Sequence, residues 1–243
     1  MLRTAFLFPL ALVVGATDAQ AQDWTGYYGG VSVGQGFSDD EGVFDLSPDS
    51  AALDTAFAPG FSGEFKDGAV GGLHFGYDEQ RGNFVYGIVG DLIFSDVGDQ
   101  QQGRSVTPAT YTIARDLDTY GTLRSRAGYL VTPTTLVYGT AGLAFGEVDF
   151  SYSQPGSGAT TTTSGGQDDK IGYAAGLGVE RKLSDRLSLS AEYLYVNLGG
   201  NDYKANLRGG PFSVADPARG TNARGSDEDF DFHTVQMKLS YRF

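Results

Sequence analysis

The chain has 243 residues, 30 Asp and Glu against 17 Lys and Arg, and a net charge of −13. Phosphate binding needs a basic footprint, so this balance argues against a nucleic-acid partner. The absence of Cys rules out disulfides, thiolate chemistry and Cys-based metal sites.

The N-terminal segment reads "MLRTAFLFPLALVVGATDAQAQDW". Arg3 precedes an apolar run from Ala5 to about Ala16, and Ala19-Gln20-Ala21 supplies small residues at a cleavage-site spacing. That order is a secretory signal peptide, too short for a good spanning helix. Residues 1–21 are therefore expected to be cleaved, leaving 22–243 as one domain, since no linker or charge block divides it. Cleavage removes Arg3 and Asp18, one charge of each sign, so the balance is unchanged.

From there one texture repeats: segments of period-two alternation, dense in Gly and aromatics, with almost no helical period. The first predicted strand, 26–34, puts Tyr27, Val31 and Val33 on one face. The second, 69–78, opposes Ala69, Leu73, Phe75 and Tyr77 to Gly72, His74, Gly76 and Asp78. The third, 83–95, shows Phe84, Tyr86, Ile88, Leu92 and Phe94 against Asp91. The fourth starts at about 111 or 117, ends at 129, and contains "TLRSRAGYL" (122–130). Its Arg124 and Arg126 share a face, with Leu123, Ala127 and Tyr129 on the other.

The fifth, 136–148, puts Leu143 and Phe145 together. The sixth, 170–182, opposes Ile171, Tyr173, Ala175, Leu177 and Val179 to Lys170, Glu180 and Lys182. The seventh, 187–198, sets Leu187, Leu189, Ala191, Tyr193 and Tyr195 against Ser188, Ser190 and Glu192. The eighth, 232–243, sets Val235, Met237, Leu239, Tyr241 and Phe243 against Thr234, Gln236, Lys238, Ser240 and Arg242.

Long connections (about 36–67, 96–110, 149–168 and 199–229) alternate with tight turns (79–83, 130–134 and 183–186). Eight strands with loops sorted in this way predict an all-β fold: an antiparallel up-and-down transmembrane β-barrel, with short periplasmic turns and long extracellular loops. The even count returns both ends to the periplasm, and the address is the outer membrane. A charge facing lipid near the midplane costs about 2–4 kcal/mol, so Arg124 and Arg126 are expected to face the lumen. There they would meet Asp91, Glu180, Glu192 and His74 in a packed structural network, because an eight-stranded barrel is filled by its own side chains. Gly72, Gly76, Gly176 and Gly178 are expected to leave room for the long chains. Tyr27, Phe94, Tyr129, Phe145, Tyr193, Tyr195, Tyr241 and Phe243 suit aromatic girdles at the two interfaces.

The segments "WTGYYGGVSVG" (24–34), "GGLHFGYDEQRGNFVYGIVGDLIFS" (71–95), "TLRSRAGYL", "LVYGTAGLAFGEV" (136–148), "IGYAAGLGVERKLSDRLSLSAEYLYVNLG" (171–199) and "FHTVQMKLSYRF" (232–243) resemble the opacity-type, porin-like small outer-membrane proteins, related to OmpA and OmpX barrels. The resemblance covers the strands and not the long loops. It implies that Leu239, Tyr241 and Phe243 form the signal read by the barrel-assembly machinery, with a departure at Lys238, where the family often has Gly. It implies outer-membrane lipids and lipopolysaccharide as surroundings and no cofactor. Any host or surface ligand would be met by the long loops.

Enzymatic roles find little support. A lipid A deacylase would need a His and a Ser close together on the lipid-facing side; His233 has outward parity, but its neighbour is Thr234 and no Ser lies two residues on. With His74 the only other His, no metal constellation arises. The acidic stretches at 38–42 and 226–231 lack the ligand alternation of a Ca²⁺ loop and read as solvated loop. The expected role is a non-enzymatic barrel contributing to envelope integrity and surface-loop interactions. A narrow pore or small-ligand (haem) binder, with His74, Arg124 and Arg126 near the path, is the alternative.

Overall fold

The computed structural model describes residues 23–38, 44–106, 109–154, 160–164, 167–200, 203–213, 218–225 and 229–243; the expected signal segment 1–21 lies outside them. In chain order the elements are β1 (Gly26–Phe37), β2 (Asp45–Ser47), α1 (Ala51–Ala56), β3 (Phe61–Lys66), β4 (Gly68–Arg81), β5 (Phe84–Arg104), β6 (Thr110–Thr132) and β7 (Thr135–Ser153). There follow β8 (Thr160–Ser164), β9 (Gln167–Lys182), β10 (Leu187–Asn197), β11 (Lys204–Arg208), a 3₁₀ turn (Gly210–Ser213), β12 (Thr221–Arg224) and β13 (Asp231–Arg242).

Eight strands bond in a ring, all antiparallel: β5-β4-β1-β13-β10-β9-β7-β6, with β6 pairing back onto β5. β3 prolongs β4 along the same neighbour, pairing with 98–103 of β5. At one end of the ring the strands are joined by tight turns at Gly82-Asn83, Pro133-Thr134 and 183–186. Gly82 has φ +62°, a left-handed conformation that glycine adopts without a Cβ clash.

The two faces of the ring differ as period-two alternation requires. Leu73, Phe75, Phe84, Ile88, Leu92, Leu123, Leu143, Ile171, Leu177, Val235 and Phe243 point outward and are exposed, whereas Asp78, Asp91, Arg124, Arg126, Glu180, Glu192, Lys238 and Arg242 are buried inside. Exposed apolar residues run over 84–94 on β5, 137–145 on β7, 171–179 on β9, and from 235 on β13 to Phe243 just past its end. A tilted strand needs about 9–11 residues to cross a bilayer, so this band has the height of a hydrocarbon core. Aromatics edge it: Tyr27 with Tyr77, Phe84 with Tyr129 and Tyr241 with Phe243 at the turn end (centroids 4.9, 5.3 and 5.5 Å apart), Tyr173 with Tyr195 at the other (5.9 Å).

The far end departs from the sequence expectation. Much of what reads as loop is strand: β5 runs on to Arg104 and β7 continues to Ser153, while β6 begins at Thr110, next to the earlier of the two starts read for the fourth strand. Parts of the remainder form a second, four-stranded sheet, β2-β12-β11-β8. This sheet, α1 and the 3₁₀ turn enclose their own core of Phe44, Leu53, Phe57, Leu207 and Phe212, together with Tyr111 and Ile113 of β6. The connections thus fold into a cap. Where the strands leave the band their faces invert: Val97, Leu117, Val148, Val196, Leu198 and Phe230 pack inside, while Asp96, Asp116, Asp118 and Glu147 point out.

Candidate functional site

The most elaborate chemistry lies inside the ring. Arg124 of β6 donates from Nε to Thr122 Oγ1 (3.0 Å), from Nη1 to Thr140 Oγ1 (2.6 Å), and from Nη2 to Asp91 Oδ2 (2.8 Å) and Glu192 Oε1 (2.9 Å). Lys238 Nζ joins the same two carboxylates, 2.6 Å from Asp91 and 2.9 Å from Glu192. Tyr138 donates to the other oxygen of Glu192 (3.0 Å), and Thr122 to Asp91 (2.8 Å). Two cations and two carboxylates therefore form a neutral square drawn from β5, β6, β10 and β13. Charges buried this fully are tolerable only when paired and hydrogen-bonded.

A second layer lies nearer the turns. Arg126 pairs with Asp78 (3.2 Å) and with Glu180; Ser188 donates to Glu180 (2.5 Å), and Arg242 reaches Asp78 at 3.0 Å. The Arg126 guanidinium lies 4.0 Å from the Tyr138 ring centroid, a cation–π contact away from water. Trp24 seals this end: it is fully buried against Val85, Leu130 and Leu136, with Lys182 Nζ 5.0 Å from its ring. Arg242 also donates to the carbonyl of Trp24 and to that of Gly26 (3.1 Å). Towards the cap a third pair, Arg115 with Asp99, sits against Phe230, 5.3 Å from the ring.

Of the residues singled out in the sequence, Asp91, Arg124 and Glu192 share the first layer, and Arg126 and Glu180 the second. His74 is buried beside them, its Nε2 2.8 Å from Ser240 Oγ, but forms no ion pair among the described residues. Leu239, Tyr241 and Phe243 lie on the outward face, with Phe243 76% exposed. His233 is also outward, its Nδ1 2.6 Å from Tyr193 Oη and its ring among those of Phe37 and Tyr195. Of the acidic stretches, 39–42 and 226–228 fall outside the described residues, and Asp229 accepts from Asn197 Nδ2 (3.0 Å).

Sequence reasoning did not single out Asp78, Lys238 and Arg242 as network members, although each has inward parity. Lys238 enters the sequence reading on the polar face of the eighth strand and as a departure from a family pattern, and here it is the second cation of the square. The interior glycines also act differently than expected. A Cβ on Gly76 would lie 2.5 Å from the Tyr28 ring, and one on Gly178 2.4 Å from that of Tyr138. They make room for tyrosines, and Tyr138 in turn holds Arg126.

Space inside is scarce. The cavity between the two layers, bounded by Tyr28, His74, Arg126, Tyr138, Glu192 and Lys238, has a volume of about 10 Å³. That holds roughly one water, against the ~300 Å³ or more of a usual ligand pocket.

An apolar outer band of bilayer height, edged by aromatics around a charged and packed interior, defines an outer-membrane β-barrel protein. The chain belongs to the family of the outer membrane protein beta-barrel domain, whose pattern matches residues 6–243. It is 31% identical to the 31 kDa outer-membrane immunogenic protein of Brucella melitensis biotype 1, over 94% of this chain and 87% of that protein. It is 34% identical to the 22 kDa outer membrane protein of Rhizobium leguminosarum bv. viciae, over 72% of this chain and 67% of that protein. In structure it is similar to the outer membrane protein OprG of Pseudomonas aeruginosa, with a TM-score of 0.55 and 15% identity, over 93% of this chain and 99% of that one. Its address is the outer membrane.

Proposed function

We propose that this chain is a non-enzymatic structural protein of the outer membrane: an eight-stranded up-and-down transmembrane barrel that contributes to envelope integrity and presents a folded cap at the cell surface. The observation that carries the reading is the interior, where two ion-paired layers leave about 10 Å³ between them. A filled lumen makes a rigid peg in the membrane. The tight turns then face the periplasm and the cap faces outward, the sorting usual for such barrels. The Brucella relative is named an immunogenic protein, which suits a surface that meets the exterior. Lipids and lipopolysaccharide would surround the band, any host or surface ligand would meet the cap, and Leu239, Tyr241 and Phe243 would be read by the assembly machinery.

Against the alternative of a narrow pore or a haem-binding lumen stands the cavity of about 10 Å³ that the described residues leave between the two layers. Planar-bilayer recording on the refolded chain tests the choice. A filled barrel gives no discrete steps; reproducible, ion-selective steps would sink the structural reading. Protease treatment of intact cells tests the orientation. Cleavage within the cap, with the ring's strands protected, is expected, and a cap accessible only after the outer membrane is opened would reverse it.

A further inference from the structure

Two side chains on the wall of the small cavity between the ion-paired layers each keep one nitrogen that the network does not use. His74 spends Nε2 on Ser240 Oγ (2.8 Å), and its Nδ1 has no hydrogen-bond partner among the described residues. Arg126 spends Nη1 on Asp78 and Tyr28 and Nη2 on Glu180, and its Nε has no partner among them either. Both residues are only 5% exposed, and both line the same cavity of about 10 Å³. A buried polar atom left unpaired loses its solvation with no return, so these two nitrogens define what the cavity should hold.

Size, charge and hydrogen-bond sense narrow the occupant. The volume is about what one water requires. Arg126 and Lys238 on the wall balance Glu180 and Glu192, so a charged guest would find no counter-charge left over for it. Arg126 Nε carries a hydrogen it does not lose and can only donate, so the guest must accept, which a cation cannot do. We propose that the cavity is a site for one water molecule, which accepts from Arg126 Nε, donates to His74 Nδ1 and so ties His74 to the layer nearer the turns. The site then fixes the imidazole. A neutral His has one donor and one acceptor nitrogen; with Nδ1 accepting from water, Nε2 is the donor to Ser240 Oγ. The opposite tautomer would turn two donors on the guest, the demand of a small anion. The proposal rests on the filled interior of the structural reading. A conducting lumen would show as steps in the bilayer recording, whereas a filled lumen with a dry cavity would show only in the test below.

The test is a crystal structure of the refolded chain, at a resolution that orders internal water, joined to NMR of the histidine ring nitrogens in detergent micelles. One density peak is expected within about 2.7–3.2 Å of both His74 Nδ1 and Arg126 Nε. The NMR should find Nε2 protonated and Nδ1 bare but hydrogen-bonded, with His233→Gln serving to assign the two rings. Val89 is buried on the same wall, and Val89→Ile puts one more carbon into the space. That variant should lose the density peak and move the Nδ1 resonance to that of a nitrogen without a hydrogen bond. Unchanged gel mobility would show that it still folds; if it does not, the two readings on the unaltered chain decide by themselves. A dry cavity, a bromide ion taking the place of the peak in soaked crystals, a protonated Nδ1, or an Nδ1 resonance unmoved in folded Val89→Ile would each overturn the proposal.

Discussion

Replacing Arg124 by Met keeps most of the side-chain volume and removes one charge from the square. The guanidinium side chain is wholly buried and bonds to Thr122, Thr140, Asp91 and Glu192. Without it, Lys238 alone faces two carboxylates whose side chains are 2% and 3% exposed. Breaking a buried pair by deleting one partner costs about 3–5 kcal/mol, because the charge left behind has no solvent to return to. The companion variant Glu192→Gln removes one acid and restores neutrality, one lysine to one aspartate. The double variant Arg124→Met/Glu192→Gln should therefore lose less than the sum of its parts, with a coupling of about 1–3 kcal/mol. Urea unfolding of the refolded proteins in detergent, read by gel mobility and tryptophan fluorescence, measures both. If Arg124→Met costs less than about 1 kcal/mol, or the two losses add, then water reaches the interior and the square is not the neutral buried unit described.

Further outcomes follow from the same geometry. Trp24→Ala, which removes the chain's one tryptophan, should lose about 3–5 kcal/mol by the gel-mobility readout of urea unfolding, as it empties a fully buried site at the turn end. Gly178→Ala should cost about 1–3 kcal/mol, with its Cβ 2.4 Å from the Tyr138 ring, while Gly139→Ala, whose nearest atom is 3.6 Å away, should be neutral. Phe212→Ala should open the cap to limited proteolysis and leave the heat-dependent gel shift of the ring intact, since Phe212 is buried in the cap core alone. Lys66→Ala should change stability by no more than about 0.5 kcal/mol, because Lys66 and Asp96 pair with side chains 56% and 73% exposed.

The ring was legible in the sequence because lipid and lumen impose opposite demands on alternate residues. Leu123 and Arg124 sort themselves by cost, and each strand can be read from its own alternation. The pairings were not legible. Asp91 meets Lys238 across 147 residues, and only the registers around the ring bring them together. The start of β6 was ambiguous for a physical reason. Its pairing slips between Asp116 and Tyr120, and both Leu117 and Tyr120 are buried although three residues apart. A bulge there exchanges the faces, so the alternation seen at 122–130 cannot be extended backwards. The cap was hidden because its core is gathered from short segments with no sustained period. Leu46, Leu207 and Ala223 gain meaning only when β2, β11 and β12 pair.

The inversion of faces along the ring also explains why the interior is charged at all. An apolar filling would pack an eight-stranded ring, but inner and outer faces would then be chemically alike within the membrane. A slip of one residue exchanges the faces of a strand, and nothing would penalise it. With Arg124 and Arg126 inside, the same slip sends two guanidinium groups into hydrocarbon at about 2–4 kcal/mol each near the midplane. The network thus fixes register wherever lipid surrounds the sheet. Beyond the band water takes over that role, since a slip would expose Val97, Leu117 and Val148 and turn Asp116 and Glu147 inward. The filling there is largely apolar, with the Arg115–Asp99 pair set among it. Tyr120 and Phe232, edge to face at 5.4 Å, lie at the level where one rule gives way to the other. The bulge in β6 sits at that level too, and it lets one strand satisfy lipid on one side of the boundary and water on the other.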